Sequence, residues 1–252
     1  MIQDNHWTSS PRHNYARLTL SVVSTAFLSG SLSLLGMPAS AQLLHPLTYA
    51  MQNGNTGAFH YHDATYNGSG DVNTDFSALS GGTGYLTDGI LGGPFWDSNI
   101  DGNSQSVNWV GWSDALGGDP VITFDFGASQ TFATTSFYFT NGSTAGVGGG
   151  GVSLPAGVTL TYSNDGINFA NSILQNIAPD NTSAAARFID VATPTSARYV
   201  RADITRGNTW IFLSEVNFVG TSPTATPEPG SLALCAALGL GGLAALRRRR
   251  RR

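Results

Sequence analysis

Between Gln42 and Thr226, apolar and polar residues alternate with a period of two in several segments, and none shows a helical period. In one segment Ile122, Phe124 and Phe126 fall on the same face of an extended chain. Because successive side chains of a strand point to opposite faces, each segment is predicted to be a half-buried β-strand. The predicted strands are Val121–Phe126, Ser136–Thr140, Val158–Ser163, Arg198–Ile204 and Leu213–Val219.

Turn residues separate these strands. Asn164-Asp165-Gly166 predicts a hairpin, because glycine accepts the positive φ that such turns need. Gly146–Gly151 is nearly all glycine and is predicted to be an exposed loop, and without a following Lys-Ser/Thr it is not a phosphate-binding loop. Many short strands with Gly, Asn and Pro turns predict an all-β sandwich. Thr221–Thr226, rich in Ser, Thr and Pro, is predicted to be a linker.

The N-terminal segment has the three parts of a secretory signal peptide. Basic residues precede an apolar stretch, Leu18–Leu35, and Ala39-Ser40-Ala41 supplies the small residues of a cleavage site. Residues 1–41 are therefore predicted to be a signal helix that is removed after Ala41. The alternative, an uncleaved anchor helix, is disfavoured because Gly30 and Gly36 dilute the apolar run.

The C-terminal segment, 227–252, combines a short motif with a membrane stop. Pro227-Glu228-Pro229 precedes the apolar run Leu232–Leu246, and Arg247–Arg252 follows it. The 15-residue run would form a transmembrane helix of ~23 Å, shorter than the ~30 Å hydrocarbon core, with the arginines on the cytoplasmic side. This order resembles the PEP-CTERM sorting signal. The resemblance implies a transient membrane anchor, cleavage by an exosortase, and delivery to the cell surface or extracellular matrix. The alternative is a plain C-terminal anchor.

Composition narrows the chemistry of the segment between these signals. It holds four arginines, no lysine and fourteen acidic residues, for a formal charge of −10. A domain this acidic is not expected to bind nucleic acid. The only cysteine, Cys235, lies in the C-terminal segment, so no disulfide is expected. Surplus aspartates suit calcium, which prefers oxygen ligands, although most of them could simply keep the surface soluble.

Five motifs in a fixed order resemble the discoidin domain, also called the coagulation-factor type C domain. They are Tyr85–Gly89 (YLTDG), Val121–Gly127 (VITFDFG), Tyr162–Gly166 (YSNDG) with Phe169, Ala197–Arg201 (ARYVR) and Trp210–Gly220 (WIFLSEVNFVG). The resemblance implies a galactose-binding-like jelly roll over residues 42–220, with the first strands within Tyr49–Thr65. Ile90–Asp119 is longer and richer in glycine than the corresponding loop of many members. The resemblance therefore does not identify the ligand.

The same resemblance implies a structural calcium site at Asp88 and Glu215. Glu215 is the only glutamate between Gln42 and Thr226 and lies in an apolar strand, where an unpaired charge is costly. A salt bridge from Glu215 to one of the four arginines is the alternative. Asp97, Asn99 and Asp101 also open like a calcium loop, but Asn108 stands where an EF-hand needs glutamate, so a tight turn is favoured over a second calcium site.

Candidate ligand contacts lie in two loops. Sugar-binding sandwiches often use aromatic side chains together with Arg or Asn in loops at one end, which points to a set of five candidates. They are Trp96, Trp109, Trp112, Arg206 and Asn208. The tryptophans could equally be plugs that close the sandwich. Trp210 is expected to pack in the core.

Catalytic motifs are weak. His60 and His62 could share a strand face, but no third histidine is near and a surface strand is favoured. No Gly-x-Ser-x-Gly elbow or facing carboxylate pair stands out, so no catalytic residue is assigned. The sequence thus predicts an exported, calcium-stabilised module that binds glycan or exopolysaccharide without catalysis. The alternatives are a structural or protein-binding matrix component and a hydrolase on a jelly-roll scaffold.

Overall fold

A computed structural model of the protein describes residues 41–56, 60–98, 100 and 106–221. The predicted signal peptide up to Ser40, Ala39 included, lies outside these residues. The sorting motif Pro227-Glu228-Pro229, the apolar run and the arginine block also lie outside them, with all of 222–252. Within the described part of the chain, no helix is both long enough and apolar enough to span a bilayer.

The described fold is all-β, as the sequence predicts. Three single-turn 3-10 helices, Tyr85–Thr87, Asp114–Leu116 and Gly149–Gly151, are the only helical elements among these residues. The strands are β1 (Ala41–Leu44), β2 (Thr48–Gln52), β3 (Ala78–Gly82), β4 (Val110–Ser113), β5 (Val121–Phe139), β6 (Gly142–Ser143), β7 (Gly146–Val147), β8 (Gly157–Ser163), β9 (Ala170–Asn176), β10 (Arg187–Thr205) and β11 (Trp210–Thr221).

Two 19-residue strands, β5 and β10, run through both layers of the sandwich. The first half of β5 lies between β2 and β10, and its second half lies between β11 and β10. Register shifts in β10 after Ala192 and Ala197 let these strands bend from one layer into the other. β8 and β9 extend one layer, while β4 and β1 pair with opposite ends of β11 in the other. The result is the predicted jelly-roll sandwich.

The main core fills the space between the layers with aromatic and branched side chains. Phe124 of β5 meets Phe218 of β11 at 4.9 Å between ring centroids, and Phe126 meets the same ring at 5.0 Å. All three are buried, as are Phe137 and Leu160. Close packing of rings from both layers is what holds the curled sheet closed.

The predicted strands are all confirmed, with two differences in extent. Val121–Phe126 and Ser136–Thr140 are two ends of the single strand β5 rather than separate strands, apart from Thr140, which follows it. The glycine-rich segment predicted to be only a loop contains β7 and the turn Gly149–Gly151. The Asn164–Gly166 turn joins β8 to β9, with Gly166 at φ 74°.

Strand β11 presents aromatic residues on both of its faces. Ile211 and Leu213 point into the main core. Phe212 packs instead in a second cluster with Trp109 and Val152, and the partly buried Trp210 contacts that cluster. A bulge between Leu213 and Glu215 shifts the alternation by one residue. The outer face of β11 therefore carries Trp210, Phe212 and, beyond the bulge, Glu215.

Candidate functional site

A pocket of about 170 Å³ opens beside the start of β11. Three partly exposed aromatic side chains and one buried ring form most of its wall, and four chain segments contribute to it. It is lined by Tyr61, Trp96, Gly150, Val152, Trp210 and Phe212, and is called the aromatic pocket below. None of these six described residues carries a carboxylate, an imidazole or a guanidinium group.

The rings of the aromatic pocket contact one another. Tyr61 meets Trp96 and Trp210 edge-on, each at 5.3 Å between centroids, and meets Phe212 at 4.8 Å. Trp96 stacks on Phe212 at 5.1 Å with an interplanar angle of 20°. Phe212 thus forms a floor on which the other rings are fixed. Rings held in this way present preformed apolar faces at little cost in side-chain entropy.

Backbone and side-chain bonds position Tyr61 and Trp96. The Tyr61 amide donates to the Asn55 carbonyl at 2.7 Å, and the Tyr61 carbonyl accepts from the Gly111 amide at 2.8 Å. The Trp96 carbonyl accepts a hydrogen bond from the Ser106 hydroxyl. These hydrogen bonds connect Tyr61 to strand β4 and Trp96 to the segment just before β4. Both side chains are therefore held in fixed positions.

Asp97 fixes the loop that carries Trp96. Its two carboxylate oxygens accept from the Thr144 amide at 2.8 Å and the Thr144 hydroxyl at 2.6 Å. Burial raises the pKa of the Tyr61 hydroxyl, and the negative charge of Asp97 raises it further. Tyr61 is therefore a neutral hydroxyl at physiological pH. The indole N–H of Trp96 has no hydrogen-bond partner among the described residues.

Two predicted ligand contacts, Trp109 and Trp112, are wrong. Both side chains have 0% exposure, so neither can touch a ligand. Trp112 donates its indole N–H to the Gln52 carbonyl at 2.8 Å, and Trp109 stacks on Tyr138 with centroids 5.7 Å apart. They are the plugs that the alternative interpretation described. Trp96 is partly exposed and does line the aromatic pocket.

Arg206 and Asn208 do not line the pocket either. The Arg206 guanidinium donates to the carbonyls of Ser113 and Gly118 and lies 3.7 Å from an oxygen of Asp119. The Arg206 side chain therefore stabilises the loop after β4. This corrects its predicted role as a ligand contact. Asn208 is exposed on the loop before β11, where its side-chain oxygen accepts from the Thr209 amide.

The sequence missed most of the pocket. Trp210 was expected in the core, but it is partly exposed on the opposite face of β11 from Ile211. Tyr61 lies in an irregular segment, not in the predicted surface strand around His60 and His62, and His62 is buried. The available signal was the alternation of Trp210 and Phe212 with Ile211 and Leu213. It indicates that one face of the strand carries two large rings, and such rings are rarely left without contacts from other segments.

Asp88 and Glu215 are close enough for the charge of Asp88 to act on Glu215, and the calcium site expected there stays a prediction. Glu215 is 2% exposed, and its carboxylate accepts a hydrogen bond from the Gly89 amide at 3.1 Å. Burial raises the pKa of Glu215 to about 8, and the neighbouring Asp88 charge adds to the shift. Burial also raises the pKa of Asp88. Both carboxylates therefore lie where burial disfavours their ionised forms.

The alternative of a salt bridge to Glu215 is wrong. Each of the four arginines of the described chain pairs with an aspartate instead. The pairs are Arg187–Asp180, Arg198–Asp125, Arg201–Asp203 and Arg206–Asp119. Among the described residues no group of three or more acidic, histidine or cysteine side chains could hold a metal. Any ion at Asp88 and Glu215 would therefore need backbone carbonyls or water as further ligands.

Of the three residues in the weaker calcium prediction, only Asp97 lies among the described residues. Both oxygens of Asp97 are engaged by Thr144, which favours the tight-turn alternative for that residue. Asn99 and Asp101 lie outside the described residues.

The described residues thus form a jelly-roll sandwich with a preformed aromatic pocket among its loops. Residues 46–220 match the family described as the discoidin domain-containing receptor 1/2, DS-like domain. The match covers well over half of the chain, and the protein belongs to this discoidin family. Comparison with curated proteins gives no match.

Several solved structures resemble the protein in fold. One is CpGH89CBM32-5 from Clostridium perfringens in complex with GalNAc-β-1,3-galactose, with 13% identity, a TM-score of 0.37, and coverage of 70% of this chain and 99% of that chain. Another is the lectin domain of lectinolysin with Lewis B antigen, with 14% identity, a TM-score of 0.37 and coverage of 74% and 96%. A third is a glycoside hydrolase, with 14% identity and a TM-score of 0.34, where the match covers 73% of this chain but only 33% of that chain.

Proposed function

We propose that the protein is an exported module that binds a glycan or exopolysaccharide without catalysis, with the aromatic pocket as its binding site. The observation that carries the proposal is the partly exposed pair Trp96 and Trp210, held around a cavity by Tyr61 and Phe212. Concave, mostly apolar pockets with a few polar groups are the usual form of small-ligand sites.

The chemistry of the pocket suits the apolar face of a sugar ring. The C–H face of a pyranose can stack on an indole, while its hydroxyls need polar partners at the edge. The Tyr61 hydroxyl is neutral at physiological pH, so this side chain adds no charge to the wall of the pocket.

A binding titration tests this function. The purified full chain is titrated by calorimetry with the methyl pyranosides of β-galactose, α-glucose, α-mannose and N-acetyl-β-galactosamine. We expect binding of at least one at millimolar concentration, and loss of that binding in Trp96→Ala. Absence of binding to all four, together with a blank glycan array, would favour a structural or protein-binding matrix component. Release of reducing sugar from a polysaccharide would favour the hydrolase.

Calcium at Asp88 and Glu215 is part of the proposal. The donor set fits the ion, since the buried Glu215 carboxylate has no arginine partner and the charge of a second carboxylate, Asp88, acts on it. A bound cation would neutralise this pair and fix the loop after Asp88 against β11. Its role would be structural and distinct from the aromatic pocket.

Export and sorting complete the proposal. The signal peptide is removed after Ala41, which begins β1 opposite Thr221, and an exosortase cleaves near Pro227-Glu228-Pro229 before delivery to the surface or matrix. Intact mass spectrometry of surface material should find residues 1–41 and the segment from about Pro229 onward missing. Surface protein that still carries Arg247–Arg252 would contradict this route.

A further inference from the structure

One wall of the aromatic pocket is backbone rather than side chain. The turn Gly148–Gly151 passes beside Trp96, and Gly150 lines the cavity. Gly148 has φ 69° and Gly150 has φ 71°, both in the left-handed region that side chains other than glycine rarely adopt. The backbone can thus come close to the indole because no side chain stands between them.

The two glycines differ in what surrounds them. A Cβ added at Gly150 would lie 3.1 Å from Cζ2 of Trp96 and 3.8 Å from its indole nitrogen. A Cβ added at Gly148 would meet nothing within 4 Å. The conformational demand is the same at both positions, but only at Gly150 does the missing side chain let the backbone pack closely against Trp96.

The neighbouring glycines hold the turn in place by close approach. A Cβ at Gly149 would collide with the Ser143 hydroxyl, and one at Gly151 would lie 3.3 Å from the Thr209 side chain. The Gly151 amide donates to the Gly148 carbonyl at 3.0 Å. Since the turn is fixed against its neighbours on both sides, it cannot easily retreat when a side chain is added at Gly150.

We propose that Gly150 is a specificity-determining residue, whose missing side chain sets the size of the sugar ring and substituents that the aromatic pocket accepts. This inference rests on the proposed glycan-binding function. A methyl group at position 150 would press on Cζ2 of Trp96, so the indole or the turn would shift and the space left for a ligand in the aromatic pocket would change.

The test compares Gly150→Ala with Gly148→Ala in the full chain. Both substitutions place alanine at a positive φ, so we expect similar decreases in the thermal midpoint. We expect Gly150→Ala to weaken binding of the best methyl pyranoside of the panel above by about tenfold or more, equivalent to ~1.4 kcal/mol. Gly148→Ala should bind like the parent. The loss at Gly150 should be larger for N-acetyl-β-galactosamine than for β-galactose if both bind the parent.

The outcomes separate the two proposals. If the parent binds no pyranoside, the proposed function fails and this inference fails with it. If the parent binds and Gly150→Ala binds equally well, only the role of Gly150 is refuted. A crystal structure of Gly150→Ala gives a readout without ligand: a Trp96 ring left in place beside a cavity of unchanged volume would also refute it. Equal losses in both glycine variants would mean that the turn acts through folding alone.

Discussion

Removal of the charge on Glu215 tests the environment of the Asp88–Glu215 pair most directly. Glu215 is 2% exposed and accepts one hydrogen bond, from the Gly89 amide. Glu215→Gln keeps a side-chain oxygen for that amide and removes the ionisable group. The perturbation therefore isolates the cost of a buried negative charge from the loss of a contact.

The sign and size of the effect follow from the pKa. Burial raises the pKa of Glu215 from 4.5 in the unfolded chain to about 8 in the folded one. Between these values the folded state binds the extra proton, so without calcium the free energy of unfolding is highest below the unfolded pKa and falls as pH rises toward 8. At 1.36 kcal/mol per unit, the loss across this window is on the order of 4 to 5 kcal/mol.

Urea denaturation in EDTA between pH 4.5 and 8.5 measures this loss. We expect the parent to become less stable with rising pH and Glu215→Gln to lose most of that dependence. Asp190→Asn, an exposed carboxylate on β10, is the matched control and should behave like the parent. Equal slopes for the parent and Glu215→Gln would refute the raised pKa.

In the parent, calcium should counteract the fall in the free energy of unfolding as the pH rises. The ion binds the ionised pair, so protons compete with it and its stabilisation should be larger at pH 8 than at pH 6. Glu215→Gln and Asp88→Ala should lose most of this stabilisation. A parent midpoint that is the same in calcium and in EDTA at pH 8 would rule out a structural ion.

Three further predictions concern the two buried tryptophans, the pocket residue Trp96 and the loop residue Arg206. Trp109→Ala or Trp112→Ala should lower the free energy of unfolding by ~3–5 kcal/mol in urea titrations, because both rings are fully buried; a near-neutral result would contradict the plug role. Trp96→Ala should abolish pyranoside binding while the circular dichroism spectrum stays that of the parent, and unchanged affinity would remove it from the site. Arg206→Ala should cost ~1–3 kcal/mol by leaving two loop carbonyls without their donor, with little change in pyranoside affinity, and a selective loss of affinity would restore Arg206 as a ligand contact.

Local alternation in the sequence was sufficient for the strands. Ile122, Phe124 and Phe126 are buried as their period of two requires, because one face of a strand in a sandwich always meets the core. The merging of two predicted strands into β5 could not be read locally. It depends on β10 pairing along the whole length of β5, and that pairing joins residues distant in sequence.

From the residues alone, a single glutamate in an apolar strand requires a partner, but Asp88 as that partner was implied only by the family resemblance. The fate of the tryptophans was not available from the sequence. The sequence places Trp96, Trp109 and Trp112 in one long segment. Whether each of these side chains is buried depends on its contacts with the distant strands β5 and β11. Trp109 stacks on Tyr138 of β5 and is buried, whereas Trp96 stacks on Phe212 on the outer face of β11 and is partly exposed.

The sequence by itself determined the strand faces, the turn positions, the acidic charge and the family, because each depends on residue type and short-range order. Only the tertiary structure decided where the aromatic pocket lies. Tyr61, Trp96, Gly150 and Trp210 come from four separate segments, and no local pattern states that they meet. Their meeting is set by the long-range pairing that curls the sheet, a property of the whole chain rather than of any stretch within it.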